Sequence, residues 1–135
     1  MGPNKYLAKV HADLRHQRRT LGGLSPQAFA KIYLSHHCQL PFSRMHKEVF
    51  ATLAELFDKR QGRLAIAAPR GHAKSTIVSL AFVLWCVLYG KEKLVFLVSA
   101  TREQVILLLK DVKSELQNNS LLLEDFPEAC QPEGT

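Results

Sequence analysis

The sequence predicts an α/β fold in which a partial parallel sheet follows an N-terminal helical region. Short apolar runs at residues 64–68 and 94–99 predict strands, because each is bounded by turn-forming residues. Helical patterns follow them at about 74–89 and about 101–117. Strands that alternate with helices in this way are typical of parallel sheets built from right-handed crossovers.

The chain before the first predicted strand shows helical spacing of its apolar residues. A basic leading helix is predicted over residues 5–20, and a serine followed by a proline predicts the start of a second helix at about 26–37. Ser43 can cap a third helix that carries a broad apolar stripe. We therefore predict an N-terminal helical region at residues 1–62 and the start of the sheet-based core at residues 63–135.

Composition and charge limit the possible functions. A chain of 135 residues has room for one modest domain. Residues 1–75 carry thirteen Lys and Arg against four Asp and Glu, which suits an anionic partner such as nucleic acid as well as it suits a solvated basic surface. The longest apolar stretch, residues 76–89, is shorter than the roughly 20 residues that a membrane span needs, so we expect no membrane association. Three cysteines without paired spacing favour a reducing, cytoplasmic location.

A candidate phosphate-binding loop lies at residues 68–76, between the first predicted strand and the helix that follows it. Compared with the pattern G-x-x-x-x-G-K-[ST], Lys74 and Ser75 match, whereas alanine stands at both glycine positions, Ala68 and Ala73. The context of strand, loop and helix nevertheless predicts a core of the P-loop NTPase type, with ATP and Mg²⁺ as cofactors.

Each residue type in this loop has a chemical reason to be there. Lys74 supplies positive charge to the β- and γ-phosphates, the Ser75 hydroxyl binds Mg²⁺, and the N–H groups of residues 71–76 surround phosphate oxygens. Gly71 provides one permissive backbone position, and a left-handed Ala73 costs roughly 1–2 kcal/mol. The alternative is a charged turn between a strand and a helix that binds no ligand.

The loop resembles the variant Walker A motif of phage terminase large subunits. Residues 69–76 read Pro-Arg-Gly-His-Ala-Lys-Ser-Thr, and the similarity extends through residues 94–103 and into residues 115–130. About 90 residues, from roughly 40 to 130, are covered. The resemblance implies the N-terminal part of the ATPase domain of a viral DNA-packaging motor, a domain that in the family is joined to a separate nuclease domain.

The same resemblance implies roles for particular residues and partners. An arginine in the family's loop acts on the γ-phosphate, and Arg70 stands at the matching position, which with Lys74 makes a catalytic pair. A histidine in the helix before the first strand, His46, corresponds loosely to the family's adenine site. The implied binding set is Pro69, Arg70, Gly71, His72, Ala73, Lys74, Ser75, Thr76 and His46. Implied partners are double-stranded viral DNA, the portal, the small terminase subunit and further copies of the same chain.

The sequence does not contain a convincing carboxylate pair for hydrolysis. The acids at the end of residues 121–125 follow an apolar run, but the run is short, Pro127 comes two residues after them, and the resemblance implies a loop there. We therefore expect the acidic strand and the nuclease to lie outside this chain, so that the chain alone is inactive. By residue type His36, His37 and Cys38, with His46, are candidate metal ligands, but adjacent residues of a helix point in different directions, which favours ordinary helix-end residues.

Two alternatives stay open at the level of sequence. One alternative to the terminase interpretation is another P-loop ATPase, such as a helicase-like protein. The other is a non-catalytic prophage remnant that binds DNA or a partner through its basic helices. Helicases usually retain the last glycine of the motif, which is Ala73 here. Nucleotide affinity that depends on Lys74 separates the ATPase interpretations from the non-catalytic one.

Overall fold

Helices are the only regular structure in residues 3–130, the part of the chain that the computed structural model describes. The range contains seven α-helices, and a π-helical segment leads directly into the fourth of them. The bounds are α1 Pro3–Gly23, α2 Pro26–Tyr33, α3 Arg44–Lys59, the π-helical segment Thr76–Phe82, α4 Val83–Leu88, α5 Arg102–Asn118, α6 Ser120–Asp125 and α7 Pro127–Cys130. None of the helices in this range has the length and apolar character needed to cross a membrane.

The predicted α/β fold, with its parallel sheet of the P-loop NTPase type, is wrong for the described residues, which form an all-α structure. The apolar runs at residues 64–68 and 94–99 pair with no strand in that range. In the second run Leu94, Phe96 and Val98 are 69%, 80% and 85% exposed, whereas the residues between them pack against the core. Exposed and packed residues thus alternate with a period of two, and this alternation is set by the local sequence. A sheet also needs a neighbouring strand in register, and local composition does not specify one.

The predicted helix starts are confirmed by their capping hydrogen bonds. Ser25 Oγ accepts from the Ala28 N–H at 3.1 Å, and Ser43 Oγ accepts from the His46 N–H at 3.3 Å. Thr101 caps α5 in the same way. The predicted end of the second helix is wrong, because α2 stops at Tyr33 and a turn follows it.

A central helix, which we define as the π-helical segment together with α4, forms the middle of the core. Its apolar stripe is buried, because every member is at most 7% exposed: Ile77, Leu80, Leu84, Trp85 and Leu88. The central helix contacts α2, α3 and α5. Burying side chains of this size is the main source of stability in a small domain. The start of this helix is therefore held firmly, and the candidate loop ends there.

A buried carboxylate joins the two ends of the described chain. The Asp125 side chain is fully buried in α6 and accepts two hydrogen bonds from the Arg18 guanidinium, at 2.9 and 2.7 Å. The Tyr33 hydroxyl donates a third, at 2.7 Å. Burial, followed by this hydrogen bond to the carboxylate, raises the pKa of Tyr33 above its usual range. The network connects α6 to α1 and α2. It also pairs Arg18, one of the basic residues that suited a nucleic-acid partner, with an acid of the same chain.

Replacing Arg18 with alanine is expected to lower the free energy of unfolding by about 3 kcal/mol, because Asp125 stays buried with only the Tyr33 hydroxyl to compensate its charge. Arg15→Ala, on the same helix but exposed, is the matched control and is expected to change it by less than about 0.5 kcal/mol. Urea unfolding followed by circular dichroism measures both. Equal values for the two variants would show that the network does not stabilise the fold.

Candidate phosphate-binding site

The candidate loop is an exposed turn that adopts left-handed backbone at two positions. Gly71 has φ of 84° and Ala73 has φ of 56°. Nothing lies within 4 Å of the position that a Cβ would take at Gly71, so the glycine is needed there for its backbone angle and not for space. Backbone held in such a conformation tends to occur at functional sites.

Ala73 is the strained residue of the loop. It occupies the position at which the phosphate-loop pattern has its last glycine, and it adopts the left-handed conformation that glycine adopts without cost. Its carbonyl oxygen accepts from the Ile77 N–H at 3.0 Å, which starts the central helix. The loop thus keeps this conformation without the residue that favours it.

The backbone donors of the loop are available to a ligand. Among the described residues, no acceptor receives a hydrogen bond from the N–H groups of Gly71, His72 or Ala73. Consecutive N–H groups in a turn of this kind form an anion-binding concavity. Lys74 is partly buried, and its ammonium donates to the Ala68 carbonyl oxygen across the loop. Positive charge and unpaired donors therefore occupy the same turn.

His46 lies against this loop although it is 26 residues away in the sequence. Its Nδ1 accepts from the Ser43 N–H at 3.2 Å, and its Nε2 lies 3.0 Å from the His72 carbonyl oxygen. A neutral imidazole with the proton on Nε2 satisfies both contacts, because one nitrogen accepts and the other donates. The structure thus brings together the loop and the histidine that the resemblance to terminases loosely implies for adenine.

A cavity of about 510 Å³ separates the loop from the turn that follows α2. Gly71, Ala73 and Thr76 form one wall, and Phe42 and His46 form another. The remaining lining residues are His36, His37, Cys38, Gln39, Leu40, Pro41 and Ile77. Small-molecule sites typically enclose about 300–1,000 Å³ between mainly apolar walls and a few polar groups. The cavity falls within this size range and borders three residues of the loop, but its lining in the described part of the chain does not include Lys74 or Ser75.

The other predicted residues of the loop face solvent. Pro69, Arg70, His72 and Ser75 are exposed, and Thr76 is partly buried at the first turn of the central helix. No carboxylate among the described residues forms an ion pair with Arg70, and the Ser75 side chain makes no capping hydrogen bond. These side chains remain available to a ligand.

A carboxylate that the sequence interpretation did not select faces the same region. Asp111, from α5, lines a smaller cavity of about 160 Å³ together with Ser75 and Thr76. The acid pair that ends residues 121–125 lies elsewhere, because Asp125 is part of α6 and binds Arg18. Chain folding, and not the local pattern, determines which acid approaches the loop.

The two adjacent histidines behave differently from the prediction. Because α2 ends at Tyr33, His36 and His37 lie in a turn and not on a helix, and their ring centroids are 4.4 Å apart. Both Nε2 atoms approach the same carboxylate oxygen of Glu115, at 2.8 and 2.6 Å. Nothing in the local sequence signals Glu115, which is 79 residues from His36.

Neither a protein-family model, nor a curated protein, nor a solved structure matches this chain. A functional proposal for the chain therefore depends on the residues of the site themselves.

We expect Ala73→Gly to raise the free energy of unfolding by about 0.5–1 kcal/mol, because relief of the left-handed strain exceeds the added entropy of the unfolded chain. Gly71→Ala is the reciprocal variant and is expected to lower it by about 1 kcal/mol. Urea unfolding of both variants measures the pair. A destabilised Ala73→Gly protein would contradict the left-handed loop conformation.

Proposed function

We propose that residues 68–76 bind the triphosphate of ATP with Mg²⁺, and that the chain is the ATP-binding portion of a viral DNA-packaging motor of the terminase large-subunit type. One observation carries the nucleotide proposal: Gly71, Ala73 and Thr76 of the loop line one cavity of about 510 Å³ together with His46, the residue that the resemblance to terminases implies for adenine.

The phosphate groups are recognised by backbone donors and by one lysine. The N–H groups of Gly71, His72 and Ala73 supply directed hydrogen bonds, and Lys74 supplies charge at the inner side of the turn. Binding requires the Lys74 ammonium to exchange the Ala68 carbonyl for phosphate oxygens. The exchange is favourable because a charged acceptor binds an ammonium more strongly than a carbonyl does.

The exposed side chains of the loop serve the metal and the terminal phosphate. The Ser75 hydroxyl would hold Mg²⁺, which would neutralise negative charge on the phosphates. Arg70 carries a guanidinium without an acidic partner among the described residues, so it is able to stabilise charge that develops on the γ-phosphate. Asp111 is the acid that the fold places in a cavity with Ser75.

The base of the nucleotide lies on the α3 side of the cavity. The Phe42 and His46 rings stand edge to face with their centroids 6.0 Å apart, and both line the cavity. Aromatic side chains of this kind provide a flat apolar surface with a polar edge, which suits adenine. The resemblance to terminases supports the same side of the site for the base.

The motor assignment depends on the resemblance of residues 69–76 and the segments that follow. It brings the proposed partners with it: double-stranded DNA, the portal, the small terminase subunit and an oligomer of the large subunit. Arg18 and Arg19 both bind acidic residues near the end of the described chain, so DNA contact through α1 relies on its other basic residues. Lys5, Lys9 and Arg15 are exposed on that helix.

Lys74→Ala is expected to abolish detectable binding of a fluorescent ATP analogue with Mg²⁺ and to leave the helical fold intact. The physical reason is that a loop lysine supplies charge and buries little apolar surface. Titration of the analogue into wild type and variant, with circular dichroism as the fold check, provides the measurement. Lys110→Ala, an exposed lysine on α5, is the matched control and is expected to bind like wild type.

The same titration distinguishes the alternatives. Unchanged affinity in folded Lys74→Ala protein would reduce the loop to a charged turn, and wild-type protein that binds no nucleotide would favour the non-catalytic interpretation. Phosphate release is expected to be negligible, because the described residues bring no carboxylate pair to the loop. Turnover within the usual range of about 1–1,000 s⁻¹ would contradict that part of the proposal.

A further inference from the structure

Two histidines and a glutamate converge at the junction of the turn after α2 with α5. One ligand atom from each of His36, His37 and Glu115 lies within 4.8 Å of the other two. The Glu115 side chain is 10% exposed, whereas the two imidazoles are about half and one third exposed. Residues from distant parts of the chain therefore present three good metal ligands to one point at the protein surface.

The chemistry of this donor set suits a divalent transition metal. Imidazole nitrogen and carboxylate oxygen are common zinc ligands, with bonds of about 2.0–2.2 Å. In a tetrahedral site such bonds place neighbouring ligand atoms about 3.3 Å apart. The present Nε2 to Oε1 distances of 2.8 and 2.6 Å need only a small widening to admit the ion. For an imidazole to bind the ion through Nε2, its ring proton would move to Nδ1, so that the Nε2 lone pair faces the metal.

Glu115 is held in place by a second layer of hydrogen bonds. The Asn119 side-chain amide donates to Glu115 Oε2 at 2.8 Å and also to the Tyr33 carbonyl oxygen at 2.7 Å. Its Oδ1 accepts from the Leu122 N–H and so caps α6. The carboxylate thus keeps Oε1 directed at the two histidines. Metal ligands are characteristically oriented by partners of this kind.

Space for further ligands lies on both sides of the cluster. A cavity of about 390 Å³ is lined by His36, Glu115 and Asn119, together with Ser114, Asn118 and Ser120. The larger cavity beside the candidate loop is lined by His36 and His37. Three protein ligands with access to solvent leave a position for water, which is the arrangement of zinc sites that are not purely structural.

We propose that His36, His37 and Glu115 form a binding site for one zinc ion, with Asn119 as the residue that positions the carboxylate. His36 and His37 also line the proposed nucleotide cavity, but none of the zinc ligands belongs to the loop, so loss of Lys74 affects nucleotide binding and not the zinc site. A hydrogen-bonded cluster that merely fastens α2 to α5 is the competing explanation. It predicts the same contacts and no affinity for metal.

The test is a titration of Zn²⁺ into metal-stripped protein in the presence of a chromophoric chelator. We expect one zinc per chain with a dissociation constant below about 1 μM, and a rise in melting temperature when zinc is added. His36→Ala, His37→Ala and Glu115→Gln are each expected to weaken binding by at least about 100-fold, and Asn119→Ser, which retains a capping hydroxyl, by about 10- to 100-fold.

Matched controls identify the ligands and separate this site from the loop. His16→Ala removes an exposed histidine of α1, and Cys38→Ser removes the nearest thiol in the sequence; both are expected to bind zinc like wild type. Lys74→Ala is expected to retain zinc although it loses nucleotide. The histidine variants change exposed side chains, so they keep the test decisive if Glu115→Gln does not fold. Wild-type binding weaker than about 100 μM, or full binding by the histidine variants, would overturn the proposal.

Discussion

Burial of the apolar side of the central helix is the constraint on which the position of the candidate site depends. Leu84 is completely buried and Trp85 nearly so, and the helix contacts α2, α3 and α5 at once. Because it cannot slide or rotate without exposing these side chains, the central helix is held against α2, α3 and α5, and the candidate loop leads into its first turn. The chain that enters this turn has to reverse within a few residues, which places Gly71 and Ala73 in left-handed backbone. The site is therefore a consequence of how the core is packed.

Two buried carboxylates connect the C-terminal helices to α1, α2 and the turn after α2. Asp125 binds Arg18 and Tyr33, and Glu115 binds the two histidines that follow α2. Burial raises the pKa of Glu115, but hydrogen bonds from Asn119, His36 and His37 lower it, and the net result is a lowered pKa. Glu115 therefore stays ionised at neutral pH, which suits an ion pair and a metal ligand equally. Its share of stability is complete above the pKa of an unfolded glutamate, about 4.3, and is lost as the pH falls through the lower folded value.

Sequence reasoning succeeded where the information is local. The caps at Ser25, Ser43 and Thr101, the stripe of the central helix and the strain at Ala73 all follow from a few neighbouring residues. It failed where the outcome depends on distant partners. The sheet was wrong because period-two apolar runs specify no neighbouring strand in the described part of the chain. The cluster of His36, His37 and Glu115 was missed because the helix that was predicted to contain the two histidines ends earlier, and because their partner Glu115 comes from α5.

The central claim is that the loop, His46 and the turn after α2 form one nucleotide pocket. Amide chemical-shift mapping of the ¹⁵N-labelled chain, with and without ATP and Mg²⁺, tests it most directly. We expect the largest shifts at residues 68–77, at His46 and at residues 36–42, and no significant shifts along α1. Shifts confined to α1, or no shifts at saturating nucleotide, would contradict the claim and leave the loop as a turn without a ligand.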